Sequence, residues 1–151
     1  MKNVFSIILF LLVIAGYAKD VPQNIQDAFN SKYSDAENVE WNTESGQYDV
    51  TFVLDDYMQQ VFYSSDGKWL KLVTELVSDE ELPEAVRNAY TKKYKDGYAY
   101  RYLKITTTEN IVFEVELSVE DLVYILKIND KGSILSSESQ QESAEEYDDE
   151  D

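Results

Sequence analysis

"VPQNIQDAFNSKY" (residues 21–33) and "LPEAVRNAYTKKY" (residues 82–94) are two versions of one segment. Each carries a proline near its start and then apolar residues at helical spacing. These are Ile25, Ala28, Phe29 and Tyr33 in the first, and Val86, Ala89, Tyr90 and Tyr94 in the second. Pro22 and Pro83 suit a first helical turn, where no backbone N–H is needed. At an offset of 61 positions, Pro22/Pro83, Ala28/Ala89, Lys32/Lys93, Tyr33/Tyr94 and Asp35/Asp96 are identical.

Strand-like alternation follows each helix. "VEWNTE" (39–44) and "YAYRYLKITTT" (98–108) read as first strands. "YDVTFVL" (48–54) puts Tyr48, Val50, Phe52 and Leu54 on one face, and "FEVEL" (113–117) does the same with Phe113, Val115 and Leu117. Third strands are "MQQVFYS" (58–64) and "LVYILKI" (122–128). Each runs into a glycine turn in which Gly67 matches Gly132 and Leu70 matches Leu135. A fourth strand is "KWLKLVTEL" (68–76), with a shorter counterpart "SILS" (133–136). The expected class is therefore α+β: a tandem duplication of a helix followed by a three- to four-stranded antiparallel sheet, over 19–77 and 78–136. One such unit buries too little apolar surface to fold alone, whereas two can share a core or extend one sheet.

The flanks read differently. "MKNVFSIILFLLVIAGYAKD" (1–20) has a basic Lys2, an apolar run from Val4 to Ile14, and small residues at Gly16 and Ala18. That is the pattern of a secretory signal peptide over residues 1–18, and the run is shorter than the roughly 20 residues of a membrane span. The mature chain is expected in the periplasm or outside the cell. Residues 137–151 are acidic, without lysine or arginine, and are expected to form a disordered tail.

Composition excludes much chemistry. With no cysteine, the chain has no disulfide, thiol nucleophile or thiolate metal site; with no histidine, it has no Ser-His pair and no imidazole ligand. Its 30 acids against 13 bases oppose binding to nucleic acid or anionic lipid, so charged partners should be basic. Neither a phosphate-binding glycine loop nor a D-x-[DN]-x-[DN]-G calcium loop is present, and no carboxylate pair stands out as a catalytic couple. The chain reads as a non-enzyme without cofactor or metal, and as a monomer.

A proline-led helix with an "F/Y-xx-K-Y" end, then strands closing in D-G-K or K-G turns, twice over, resembles the PepSY-like family of small exported proteins frequent in Bacteroidetes. The resemblance covers about residues 20–136. It implies the β-lactamase-inhibitor-protein fold and a non-enzymatic binding or inhibitory module. In the inhibitor relatives a concave, aromatic-rich sheet surface docks onto a target enzyme, but none of their contact residues can be matched here. The expected partner is an envelope or secreted protein such as a hydrolase. A small-ligand or cation-binding protein, and a sensor or assembly accessory, stand as alternatives.

If Val50, Phe52, Val61 and Tyr63 face the helix, Phe62 faces the open side of the sheet. Lys127, its counterpart in the other half, also argues against a core position. Trp41 and Trp69, and the Tyr98, Tyr100, Tyr102 stripe, are the other candidates for a protein-binding face. Trp41 shares a face with Val39 and leans to the core, while the tyrosine stripe reads either way. Lys92, Lys93 and Lys95 read as the solvated C-terminal end of the second helix, and "SDEE" (78–81) as a linker or a first-turn charge cluster, not a site.

Overall fold

The computed structural model describes residues 21–44 and 46–141. The expected signal segment, 1–18, and the acidic residues 142–151 lie outside the described residues. Helix α1 (Gln23–Lys32) precedes β1 (Glu37–Glu44), β2 (Gln47–Leu54), β3 (Tyr57–Tyr63) and β4 (Trp69–Leu76). A 3₁₀ turn (Asp79–Glu81) and α2 (Glu84–Lys93) follow, then β5 (Tyr98–Thr107), β6 (Ile111–Val119), β7 (Leu122–Asn129) and β8 (Ile134–Gln141).

The strands form a single antiparallel sheet of eight in the order β1 to β8. The three- to four-stranded sheets expected from the sequence are not what forms; of the two arrangements left open there, a shared core or one extended sheet, the strands take the extended sheet. The reason is the pairing of β4 with β5, continuous from Lys71↔Thr107 to Leu76↔Tyr102. That ladder satisfies the backbone groups that would otherwise be two exposed sheet edges in mid-chain. On β4, Leu72 packs into the cluster beneath α1 and Leu76 into the cluster beneath α2.

Both helices lie on one face. Directly paired residues share a face, and one row of pairs runs Phe52↔Gln59↔Thr74↔Lys104↔Phe113↔Ile128 across six strands. Phe52 belongs to the cluster with Ile25 and Phe29 of α1, and Phe113 and Ile128 to that with Val86 and Tyr90 of α2. Among the described residues, no helix lies on the opposite face.

Pro22 and Pro83 are N-caps, one position before the turn they were expected to occupy. Their carbonyls accept the N–H groups of Ile25 and Gln26, and of Val86 and Arg87, at 2.9–3.2 Å. The glycine turns then lean on these helix starts. A side chain at Gly132 (φ +83°) would place its Cβ 2.5 Å from the carbonyl oxygen of Ala85. The "SDEE" segment forms the 3₁₀ turn with its acids in that first turn, and it brackets the start of α2. The carbonyls of Asp79 and Glu80 accept from Arg87 Nη1 at 3.1 and 3.0 Å, and Tyr90 donates to the Asp79 carboxylate at 3.3 Å.

The expected tail boundary is also corrected. Residues 137–141 belong to β8, paired from Ser137↔Leu126 to Gln141↔Leu122. An edge strand lying over the apolar β7 needs only its backbone, so its outward side chains are polar and read as tail.

Candidate functional site

The face without helices is not simply solvated. Val73, Leu103 and Ile105 on β4 and β5 are buried there at 2, 1 and 9 % exposure, with Phe62 of β3 packed against them. Among the described residues no helix lies over them, and Phe62 supplies part of their cover. The pairing Thr51↔Gln60↔Val73↔Ile105↔Val112 fixes these residues on that face, and Asp49↔Phe62↔Lys71 forms the adjacent row.

Charged groups surround the apolar patch, most of them matched. Arg101 Nη1 donates to Glu116 Oε1 at 2.7 Å, and its Nε lies 3.5 Å from Glu75. Lys127 Nζ is 3.9 Å from Glu114, whose carboxylate is 95 % buried. Desolvation raises the Glu114 carboxyl above the usual range, opposed chiefly by Lys127. Asp49, buried at the other flank, accepts from Gln60 Nε2 at 2.8 Å and Asn42 Nδ2 at 3.3 Å. Lys71 sits between, its ammonium 4.1 Å from the centroid of the Phe62 ring. Burial, and then Lys127, hold that ammonium below the ordinary lysine range, against the pull of Glu114 and Asp49.

The candidate aromatics divide between the faces. Phe62 lies on the open face, half-buried. Tyr98, 71 % exposed, pairs with Ser118 at one end of that face, and Tyr100 is exposed in the same strand. Trp41, Trp69 and Tyr102 turn to the helix face instead. Trp41 pairs with Val50 and meets Phe29 edge-on at 5.4 Å. Trp69 Nε1 donates to Tyr33 Oη at 3.2 Å, with Lys32 Nζ 4.6 Å from its ring. Tyr102 pairs with Val115, packs into the α2 cluster and donates to the Ala99 carbonyl at 3.0 Å.

Two bulges explain the split. The β3–β4 register slips between Phe62↔Lys71 and Tyr63↔Trp69, so Trp69 and Lys71 fall on opposite faces despite their spacing. The β5–β6 register slips between Ala99↔Leu117 and Arg101↔Glu116, which parts Tyr98 from Tyr102. Alternation in "FEVEL" did hold the signal for the charges: Glu114 and Glu116 occupy the positions between Phe113, Val115 and Leu117. The lysines near the α2 end behave as expected, Lys92 and Lys93 lying exposed in the last turn.

Among the described residues, no three acidic side chains gather as a metal-binding group, and no helix is long and apolar enough to cross a membrane. An open groove of about 670 Å³ at one end of the sheet is lined by Thr107, Asn110, Ile111, Lys131 and Leu135.

Comparison with known proteins places this geometry. A family model described as "Putative beta-lactamase-inhibitor-like, PepSY-like" matches residues 17–53 and 46–136. Among solved structures, the chain resembles a protein of Bacteroides eggerthii described among "putative periplasmic proteins". The likeness has 23 % identity, a TM-score of 0.75, and covers 82 % of this chain and 90 % of that one. It is similar to a DUF2874 family protein of Bacteroides ovatus at 22 % identity and TM-score 0.75, over 81 % and 89 % of the two chains. It is also similar to a BLIP-like protein of Bacteroides fragilis at 22 % identity and TM-score 0.73, over 84 % and 93 %. At these identities the likenesses speak for the fold. None of the curated proteins matches the sequence.

Proposed function

Because the chain belongs to the PepSY-like family, we propose that it is an exported, non-enzymatic protein-binding module, monomeric by itself, that meets its partner with the helix-free face of the sheet. One observation carries this reading. That face holds a close-packed apolar patch, Phe62 with Val73, Leu103 and Ile105, ringed by charged groups of which Arg101, Glu75, Glu116, Lys127 and Glu114 are paired with one another. A desolvated apolar centre within a polar rim is the anatomy of a protein interface. Export is supported by the signal-like pattern of residues 1–18. Inhibition of a secreted or envelope hydrolase is the finer form of the proposal, and its support is the family's inhibitor-like description.

The test is capture from envelope and culture fluid of the source organism, with the chain from residue 19 onward as bait beside its Phe62→Glu variant. A partner held by the first and lost by the second, with both folded by circular dichroism, is expected. A partner held equally by both would remove the open face from the account. A captured hydrolase whose turnover is unchanged by saturating amounts of the chain would remove inhibition alone.

A further inference from the structure

Lys71 stands apart from the other charges of the open face. Arg101 answers Glu75 and Glu116, and Lys127 answers Glu114. Asp49 is served by the amides of Asn42 and Gln60. The ammonium of Lys71, half-buried at the edge of the apolar patch, has instead the face of Phe62 at 4.1 Å. Among the described residues no carboxylate comes within ion-pair distance of it. In a chain of formal net charge -17, acids are abundant and a carboxylate partner would be easy to supply from within. A cation kept partly desolvated, steered by a ring and left without a direct counter-ion, gains most from a carboxylate brought by a second molecule.

We propose that Lys71 is the point at which the open face reads a carboxylate of its protein partner. The partner would present an Asp or Glu side chain against the Lys71 ammonium and an apolar side chain on the exposed part of Phe62. The inference rests on the open-face reading above and names the chemistry that face selects. It also sets the partner's charge pattern. The acidic body repels acidic proteins at long range, so the carboxylate is a local feature at the centre of a surface that is basic around its rim.

The geometry explains why one carboxylate is enough. Glu114 and Asp49 act on Lys71 only from a distance, so an incoming carboxylate meets a charge that is neither spent on an ion pair nor fully hydrated. The Phe62 ring fixes the ammonium laterally, which reduces the side-chain entropy lost on pairing.

The experiment selects peptides from a random library displayed on phage, using the intact chain as bait. Each winner is then resynthesised with its Asp or Glu changed to Asn or Gln. Winners are expected to displace the Phe62 ring resonances and to carry a carboxylate whose amide form binds about tenfold or more weakly, the low end for coupled close charge pairs. That acid-to-amide difference should vanish in Lys71→Met and survive in Lys131→Met. Thermal melts first establish that both variants are folded. Winners that shift Phe62 with no acid-to-amide difference would overturn this inference and leave the open-face reading standing. Winners that leave Phe62 unmoved, or no winners, would overturn both. A synthetic peptide of residues 142–151 is run as a further probe. If it saturates Lys71 while library peptides do not, the occupant is the chain's own acidic segment and the partner assignment falls.

Discussion

Gly132→Ala is expected to be among the costliest single-atom additions to this chain, and two other glycines supply its controls. Gly46, Gly67 and Gly132 all lie at positive φ, +79°, +85° and +83°, so each pays the same backbone charge for a side chain, about 1–2 kcal/mol. They differ in what the new methyl meets. At Gly46 nothing lies within 4 Å of the added Cβ. At Gly67 the nearest atom is Asn24 Nδ2 at 2.9 Å, the tip of a side chain that can swing away. At Gly132 the Ala85 carbonyl oxygen and carbon lie at 2.5 and 3.0 Å, and they belong to the first turn of α2. Relief there requires the β7–β8 turn to back off from the helix, loosening Val86 from Leu126 and Ile128. Overpacking of this kind typically costs a further 1–3 kcal/mol. The expected losses are then about 1–2 kcal/mol for Gly46→Ala, slightly more for Gly67→Ala, and about 2–5 kcal/mol for Gly132→Ala. Urea unfolding followed by tryptophan fluorescence reads all three on one scale. Equal losses at the three positions would show that φ alone matters, and that the turn does not brace the helix.

Other substitutions probe the faces and the charges. Phe62→Ala should cost about 1–2 kcal/mol, between an exposed site and the 3–5 of a fully buried phenylalanine, because Val73, Leu103 and Ile105 cover one side of it; a full core-sized loss would mean the ring is unavailable to a partner. Trp69→Phe keeps most of the packing and removes the bond to Tyr33, so urea unfolding should show about 1 kcal/mol lost, and no change would argue that the bond is idle. Glu114 has its folded pKa raised by burial, so its ionisation opposes folding. Its contribution to stability is intact below the unfolded value, about 4.3, and falls as pH rises through the folded value. Glu114→Gln should flatten stability against pH between the unfolded and the folded value in urea titrations, and an unchanged profile would contradict the assignment.

Much of the fold could be read from the sequence because local rules govern it. The two prolines, the 3.6-residue apolar rhythm of α1 and α2, and the period-two rhythm of "YDVTFVL" and "FEVEL" all become the elements they suggest. What could not be read depends on contacts between distant segments. The β4–β5 ladder that merges all strands into one sheet leaves no mark in either strand, since any two extended segments offer the same backbone groups. Bulges are equally silent: an extra residue at Leu70 or Tyr100 looks like any other, yet it reverses the faces of Trp69 and of Tyr98 relative to Tyr102. Residues 137–141 misled in the opposite sense, because a polar edge strand and an acidic tail share a composition. Of the candidate site, Phe62 was legible since no bulge separates it from Val61 and Gln60 on β3. The pairing among Lys71, Glu114 and Lys127 was not, because it depends on contacts between separate strands.

The most direct test of the open-face account places a photo-reactive phenylalanine analogue at Thr51 on the helix-free face, or at Lys104, which pairs with Phe113 on the helix face. Each is irradiated in the presence of envelope extract. Cross-links to a protein from position 51, absent from position 104, are what the account predicts. Cross-links from position 104 with none from 51 would put the partner on the helices and contradict it.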